Sequence, residues 1–140
     1  MKIKKIDHVA VCVRDLDEAT ERWRTAFGIE PGERESVESQ KTDAVFFALA
    51  ETHLELVAPA GNAGLERFLE KRGPGLHHIA LEVEGIEEVI AWLTALGVPM
   101  IDESPRAGAR GHRVAFVHPR GTGGVLVELV EPPLVCAPSP

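Results

Sequence analysis

The chain is poor in cysteine, in aromatic residues and in positive charge. Its 140 residues include two cysteines, Cys12 and Cys136, and no tyrosine. A disulfide framework is therefore excluded as the organising principle, and a reducing, cytoplasmic setting is expected. No apolar run approaches the ~20 residues that a membrane-spanning helix needs. Lys and Arg number 15 against 22 Asp and Glu, for a net charge of -7. That balance speaks against general nucleic-acid binding, which needs clustered Lys and Arg to neutralise phosphate. It leaves room for a local basic patch that takes an anionic small molecule. What is present is ordinary for a soluble globular chain, with 44% apolar and 26% charged residues. The basic start, Met1 to Lys5, runs straight into an alternating strand and does not read as a signal peptide.

Residues 3–13 alternate with a period of two, with Val9, Val11 and Val13 on one face and Ile6, His8, Ala10 and Cys12 on the other. Asp15, with Glu18 three residues on, marks a helix start close to a capping box. Leu16, Ala19, Trp23, Ala26 and Phe27 form the apolar stripe of that helix, and Gly28 ends it. Strands are expected over 33–39, 43–50 and 53–58, which makes residues 1–58 a βαβββ module. Residues 59–75 form a connector with a short helical stretch from Leu65 to Lys71. A second βαβββ module covers 76–131, with a strand at 76–83, a helix at 86–96 and strands near 99–103, 112–118 and 125–130. Ser104 to Gly111 reads as a loop, and 132–140 as an extended tail. Trp23 and Trp92 fall in the two module helices and are expected in the core.

The two modules repeat one pattern. His8 and His78 lie 70 residues apart, as do Leu16 and Ile86, Ala19 and Val89, and Trp23 and Leu93. Glu55 and Glu128 lie 73 apart, so the loops of the second module have gained about three residues. The expected architecture is α+β, two tandem βαβββ modules whose curved mixed sheets form one cavity.

Side-chain parity gives the repeat its chemistry. In the first strand of each module the aliphatic face packs under the helix, which leaves His8 and His78 on the opposite face. Leu54 and Leu56 pack inward in the last strand of the first module and put Glu55 on that same face; Val127 and Leu129 do the same for Glu128. Two imidazoles and two carboxylates suit a divalent ion such as Co, Ni, Mn, Fe or Zn, and leave two octahedral positions for water or substrate oxygens. A single strand histidine is ordinarily structural and a single strand glutamate ordinarily solvated. The recurrence of all four at equivalent places argues for ligands. His77 has the opposite parity to His78 and aligns with Asp7, so it is read as a supporting or structural residue. His53, His112 and His118 have no assignment by spacing.

The paired modules resemble the vicinal oxygen chelate superfamily. The chain is similar, more narrowly, to the methylmalonyl-CoA epimerase family over residues 3–131. The segments that carry this are Ile6–Ala10, Leu54–Leu56, Gly75–Ala80 and the run from Gly108 to Pro119 that continues from Gly123 to Leu129. The resemblance implies interconversion of (2R)- and (2S)-methylmalonyl-CoA at a divalent metal, with cobalt favoured and nickel, manganese or zinc as alternatives. It makes Glu128 a ligand that also acts as base. It also implies an acidic residue in the strand before the first glutamate ligand, which here is Asp43. The CoA phosphates need cationic partners, for which Arg106, Arg110, Arg113 and Arg120 are candidates. A homodimer is expected by analogy.

Three other readings use the same scaffold. A glyoxalase I would isomerise a glutathione hemithioacetal with a similar ligand set, but the run from Gly108 to Glu128 favours the epimerase. An extradiol dioxygenase would use two His and one Glu, and commonly a Tyr, which this chain lacks. A non-enzymatic binding module would have no need of the four donors.

Overall fold

The computed structural model describes residues 2–134, so the expectations for Cys136 and for most of the tail lie outside the described residues. The first module runs β1 (Ile3–Cys12), α1 (Leu16–Phe27), β2 (Glu35–Val37), β3 (Thr42–Leu49) and β4 (Thr52–Pro59). The connector carries α2 (Ala63–Arg72), and the second module runs β5 (Gly75–Val83), α3 (Ile86–Ala95), β6 (Arg106–Ala107), β7 (Arg113–Val117) and β8 (Val127–Glu131).

Local signals set the helix ends. Asp15 accepts a hydrogen bond from the Glu18 N–H at 3.0 Å and caps α1. Gly28 closes α1 in the left-handed conformation, φ 64°, with its N–H bonded to the Arg24 carbonyl. α3 has no cap of its own. Glu131 of β8 supplies one, accepting from the N–H groups of Gly85 and Ile86 at 2.9 Å each.

All eight strands join one sheet in the order β2-β3-β4-β1-β5-β8-β7-β6. The two halves are thus continuous, joined at an antiparallel seam between β1 and β5. Within each half the last strand lies parallel to the first, β4 beside β1 and β8 beside β5. Val11, Val13, Val45, Phe47 and Leu56 pack with Leu16 and Trp23 under α1. Val83, Ala115, Val117, Val127 and Leu129 pack with Ile86, Val89 and Ile90 under α3. The other face curls inward and is partly covered by α2, whose Leu65 and Leu69 meet Cys12 and Val57. Among the described residues, no helix is long and apolar enough to cross a membrane.

Two expectations are corrected. Residues 99–103 do not form a strand; Met100 makes only an isolated bridge to Val117. The N–H groups of Ile101 and Asp102 both converge on the Phe116 carbonyl, and the Asp102 carboxylate takes the Phe116 N–H at 2.8 Å. These contacts use up the edge of β7, and regular pairing resumes only at β6, inside the stretch read as a loop. Trp92 is not in the core. It is 52% exposed, at the margin of the stripe that Ile86, Val89 and Ile90 bury.

Candidate metal centre

The seam builds the site from two copies of His-x-Ala. His8 stands opposite Ala80, and Ala10 opposite His78. The parallel neighbours then place Glu55 beside Ala10 and Glu128 beside Ala80. Both alanines are fully buried, and their methyl groups leave the imidazoles room to lie across the seam. All four expected ligands are brought together. His8 Nε2 lies 3.3 Å from Glu55 Oε1 and 3.1 Å from Glu128 Oε1. His78 Nε2 lies 3.6 and 3.4 Å from the same two oxygens.

These residues fit a divalent ion. Donors at right angles around an ion with bonds of ~2.1 Å stand ~3 Å apart, close to the spacing found here. The buried Nε2 atoms of His8 and His78 have no hydrogen-bond partner. They lie near the carboxylates but are not aligned with either, as donors aimed at a shared centre would be. The ligand atoms of His8, Glu55 and His78 all fall within 4.8 Å of one another.

The environment of the four is strongly polarised. Burial works against charge on His8, but Asp7, Glu128 and Glu55 outweigh it and push the imidazole up to about 11. Burial also works against charge on Glu128, yet His78 and His8 hold it well below the usual carboxylate range. Asp7 is itself buried, and its bonds to His8 and Arg110 overcome that cost and bring it down to about 2.

Asp7 and His77 occupy equivalent places behind the two histidines. His8 Nδ1 donates to Asp7 Oδ2 at 2.7 Å, and the Arg110 guanidinium holds the same carboxylate oxygen. His77 Nδ1 lies 2.8 Å from His78 Nδ1. Burial beside His78 pushes the His77 imidazole down to about 4, so it is neutral at physiological pH. His53 and His112 stand near this cluster. His53 pairs with His8 across the strands, and the His112 ring meets the Arg110 carbonyl at 3.1 Å. His118 caps a short turn by accepting from the Arg120 N–H.

Phe46 and Phe116 also line the cluster, although side-chain parity alone does not single them out. They flank Glu55 and Glu128 on the next strands, and meet His8 and His78 edge-on at 5.4 and 5.3 Å. Their 70-residue spacing, the same as that of the histidines, was the available signal. Arg110 lies over Phe46 at 4.4 Å and Arg106 over Phe116 at 6.0 Å, so one segment of the second module covers both rings. Gln40 approaches Glu128 at 3.5 Å from the turn between β2 and β3, and Asn62 holds the Gln40 carbonyl at 2.7 Å.

Asp43 is not brought to the cluster. Phe46 and Thr42 face the cavity, so odd-numbered residues of β3 face the other way, and Val45 and Phe47 lie under α1. Asp43 there accepts from Ser36 Oγ at 2.7 Å and from Arg34 at 3.0 Å. Ser36 and Arg34 also keep its carboxyl below the usual range, against the effect of burial. Of the candidate CoA contacts, Arg106 and Arg110 line the cavity, while Arg113 is tied to Glu87 and Glu131. A larger groove of about 380 Å³ lies beside α1, lined by Val11, Val13 and Trp23 on the opposite face of the sheet. The four donors do not open into it.

A duplicated module with paired His and Glu donors at its central seam defines a class. Residues 7–116 match the family model described as the glyoxalase/bleomycin resistance protein/dioxygenase superfamily, and the chain belongs to that superfamily. The mitochondrial methylmalonyl-CoA epimerase of Dictyostelium discoideum is 38% identical over 131 residues, covering 92% of this chain and 79% of the relative. The crystal structure of methylmalonyl-CoA epimerase from Mycobacterium tuberculosis superposes with a TM-score of 0.89 at 32% identity, over 94% of this chain and 90% of that one. A methylmalonyl-CoA epimerase in complex with methylmalonyl-CoA and NH4+ gives a TM-score of 0.90 at 30% identity, over 97% and 99%. Within the superfamily, this chain is a member of the methylmalonyl-CoA epimerase family.

Proposed function

We propose that this protein is a metal-dependent epimerase that interconverts (2R)- and (2S)-methylmalonyl-CoA. The observation that carries the reading is the four-donor cluster at the seam, in a chain whose relatives include methylmalonyl-CoA epimerases. The reaction removes the C2 proton and returns it to the opposite face. That C–H lies between a thioester carbonyl and a carboxylate, so negative charge spreads onto oxygen as the proton leaves. A divalent ion, when bound, supplies the electron withdrawal that this charge needs, and cobalt is our first choice ahead of nickel, manganese or zinc.

His8, Glu55, His78 and Glu128 hold the ion. Glu128, kept ionised by the two histidines, takes the proton. Inversion needs a second group on the opposite side of C2. Glu55 is the pseudo-symmetric counterpart of Glu128 and takes that role in place of Asp43. Arg106, at the rim, suits the anionic groups of the substrate, while Arg110 is committed to Asp7. We also assign the enzyme to the cytoplasm, in keeping with a buried free thiol at Cys12, and expect a homodimer in solution.

The test is deuterium incorporation at C2 of methylmalonyl-CoA in heavy water, followed by NMR. Rapid exchange with both diastereomers supports the proposal. No exchange, together with turnover of the methylglyoxal–glutathione adduct, would replace it with a glyoxalase I.

A further inference from the structure

The two ligand histidines are equivalent by the repeat, but their supports are not. Behind His8 stands a carboxylate neutralised by an arginine, Asp7 with Arg110. Behind His78 stands another imidazole, His77, with Nδ1 facing Nδ1 at 2.8 Å. Two ring nitrogens at that distance must share one proton, one donating and the other accepting. A histidine that ligates through Nε2 keeps its lone pair there and carries its proton on Nδ1. His78 must then donate, and His77 must accept, with its own proton on Nε2.

From this contact we infer that His77 is a positioning residue, a neutral acceptor that fixes the tautomer and the ring orientation of His78 and keeps the centre free of excess negative charge. The charge count is the reason for a histidine at this place. A dication balances Glu55 and Glu128, and Arg110 balances Asp7. Arg72 reaches His77 only through its charge, with no hydrogen bond like that of Arg110 to Asp7, so a second carboxylate behind His78 would be less well balanced and would blunt the electron withdrawal on which the reaction depends. The structure also shows that His77 is seated. Its ring meets Phe68 edge-on at 5.0 Å, which leaves its Nδ1 turned to His78.

The inference rests on the proposed metal site, and two kinds of readout keep their failures apart. Two-bond 1H–15N spectra report ring tautomers with or without Zn2+. They are expected to show His78 protonated on Nδ1 and His77 protonated on Nε2; a proton on His77 Nδ1 would overturn the inference whatever the metal does. Calorimetry with Co2+ alone then compares variants, and absence of binding to the wild type would sink the metal site itself. His77→Phe keeps an aromatic ring against Phe68 and removes the acceptor, so its affinity should fall by about 10- to 100-fold. His77→Asn retains an acceptor near the Nδ1 position and should remain within about 3-fold of wild type. A Phe variant as tight as wild type, or an Asn variant as weak as the Phe one, would leave His77 only a packing role. His77→Asp should bind Co2+ more tightly yet turn over more slowly, and an unchanged kcat in that variant would contradict the charge argument.

Discussion

In the proposed centre, protonation and metal binding compete for one atom of His8. Its neighbours push it up to about 11, so near pH 7 the ring carries two protons until a cation displaces the one on Nε2. Co2+ binding at about pH 7 should therefore release about one proton from this ring, and the apparent affinity should rise with pH. Calorimetry in buffers of differing ionisation enthalpy measures both; an affinity independent of pH between about 6 and 8 would contradict the assignment. Asp7 gives a second expectation at this scale. Its folded value of about 2 lies below the ordinary 3.8, so its stabilising contribution is complete above pH 3.8 and lost as the pH falls toward 2. Asp7→Asn strands Arg110 without its anion and should cost about 3 kcal/mol in denaturant unfolding, with weaker metal binding. The parity rule found all four cluster residues because burial on one face forces the polar residue onto the other. Asp43 came from the resemblance and not from parity, and it lies away from the cluster because Phe46 and Phe47 fix the register of β3.

At the level of elements, the sheet closes on itself through its two weakest strands. Ser39, in the turn after β2, donates its hydroxyl to the Ala107 carbonyl of β6, and Arg106 donates to the Ser39 carbonyl at 2.9 Å. The Arg110 N–H meets the Glu35 carboxylate at 3.0 Å. Gly108 lets the 106–111 segment lie close on the cavity wall; a Cβ there would meet Val114 Cγ1 at 2.6 Å. Gly108→Ala should lower stability by about 1–3 kcal/mol in thermal or denaturant unfolding and shift Arg106 and Arg110 at the rim, which would appear as a raised KM. These contacts explain why the second strand of the second module was misread from sequence. Residues 99–103 bring Met100 and Ile101 beside β7, but Asp102 binds the backbone of β7 and turns the chain away. β6 is two residues held by a crossing loop, and a pattern that short has no periodicity to detect. α1 fared better, since its Asp15 cap and its Gly28 stop are local and both stand where the sequence puts them.

On the scale of the whole molecule, the duplication is what makes the site. Neither module holds more than one His and one Glu of the cluster, and the antiparallel seam between β1 and β5 brings the halves into register. The 70-residue offset made that legible before any coordinates. The change to 73 falls between β7 and β8, where the loop is longer than the turn joining β3 to β4. The continuity of the two sheets was not legible, because pairing between first strands depends on which edges are left open, and periodicity does not report edges. The central claim, that the seam holds a divalent ion through these four side chains and that the reaction depends on it, has a direct measurement. C2 proton exchange in heavy water should be followed for the protein as isolated, after exhaustive chelation, and after return of Co2+, alongside Glu128→Gln. The account predicts loss of exchange on chelation, recovery with about one Co2+ per chain, and a loss of about 100-fold or more in the variant. Full exchange in protein shown by elemental analysis to be free of metal would contradict it.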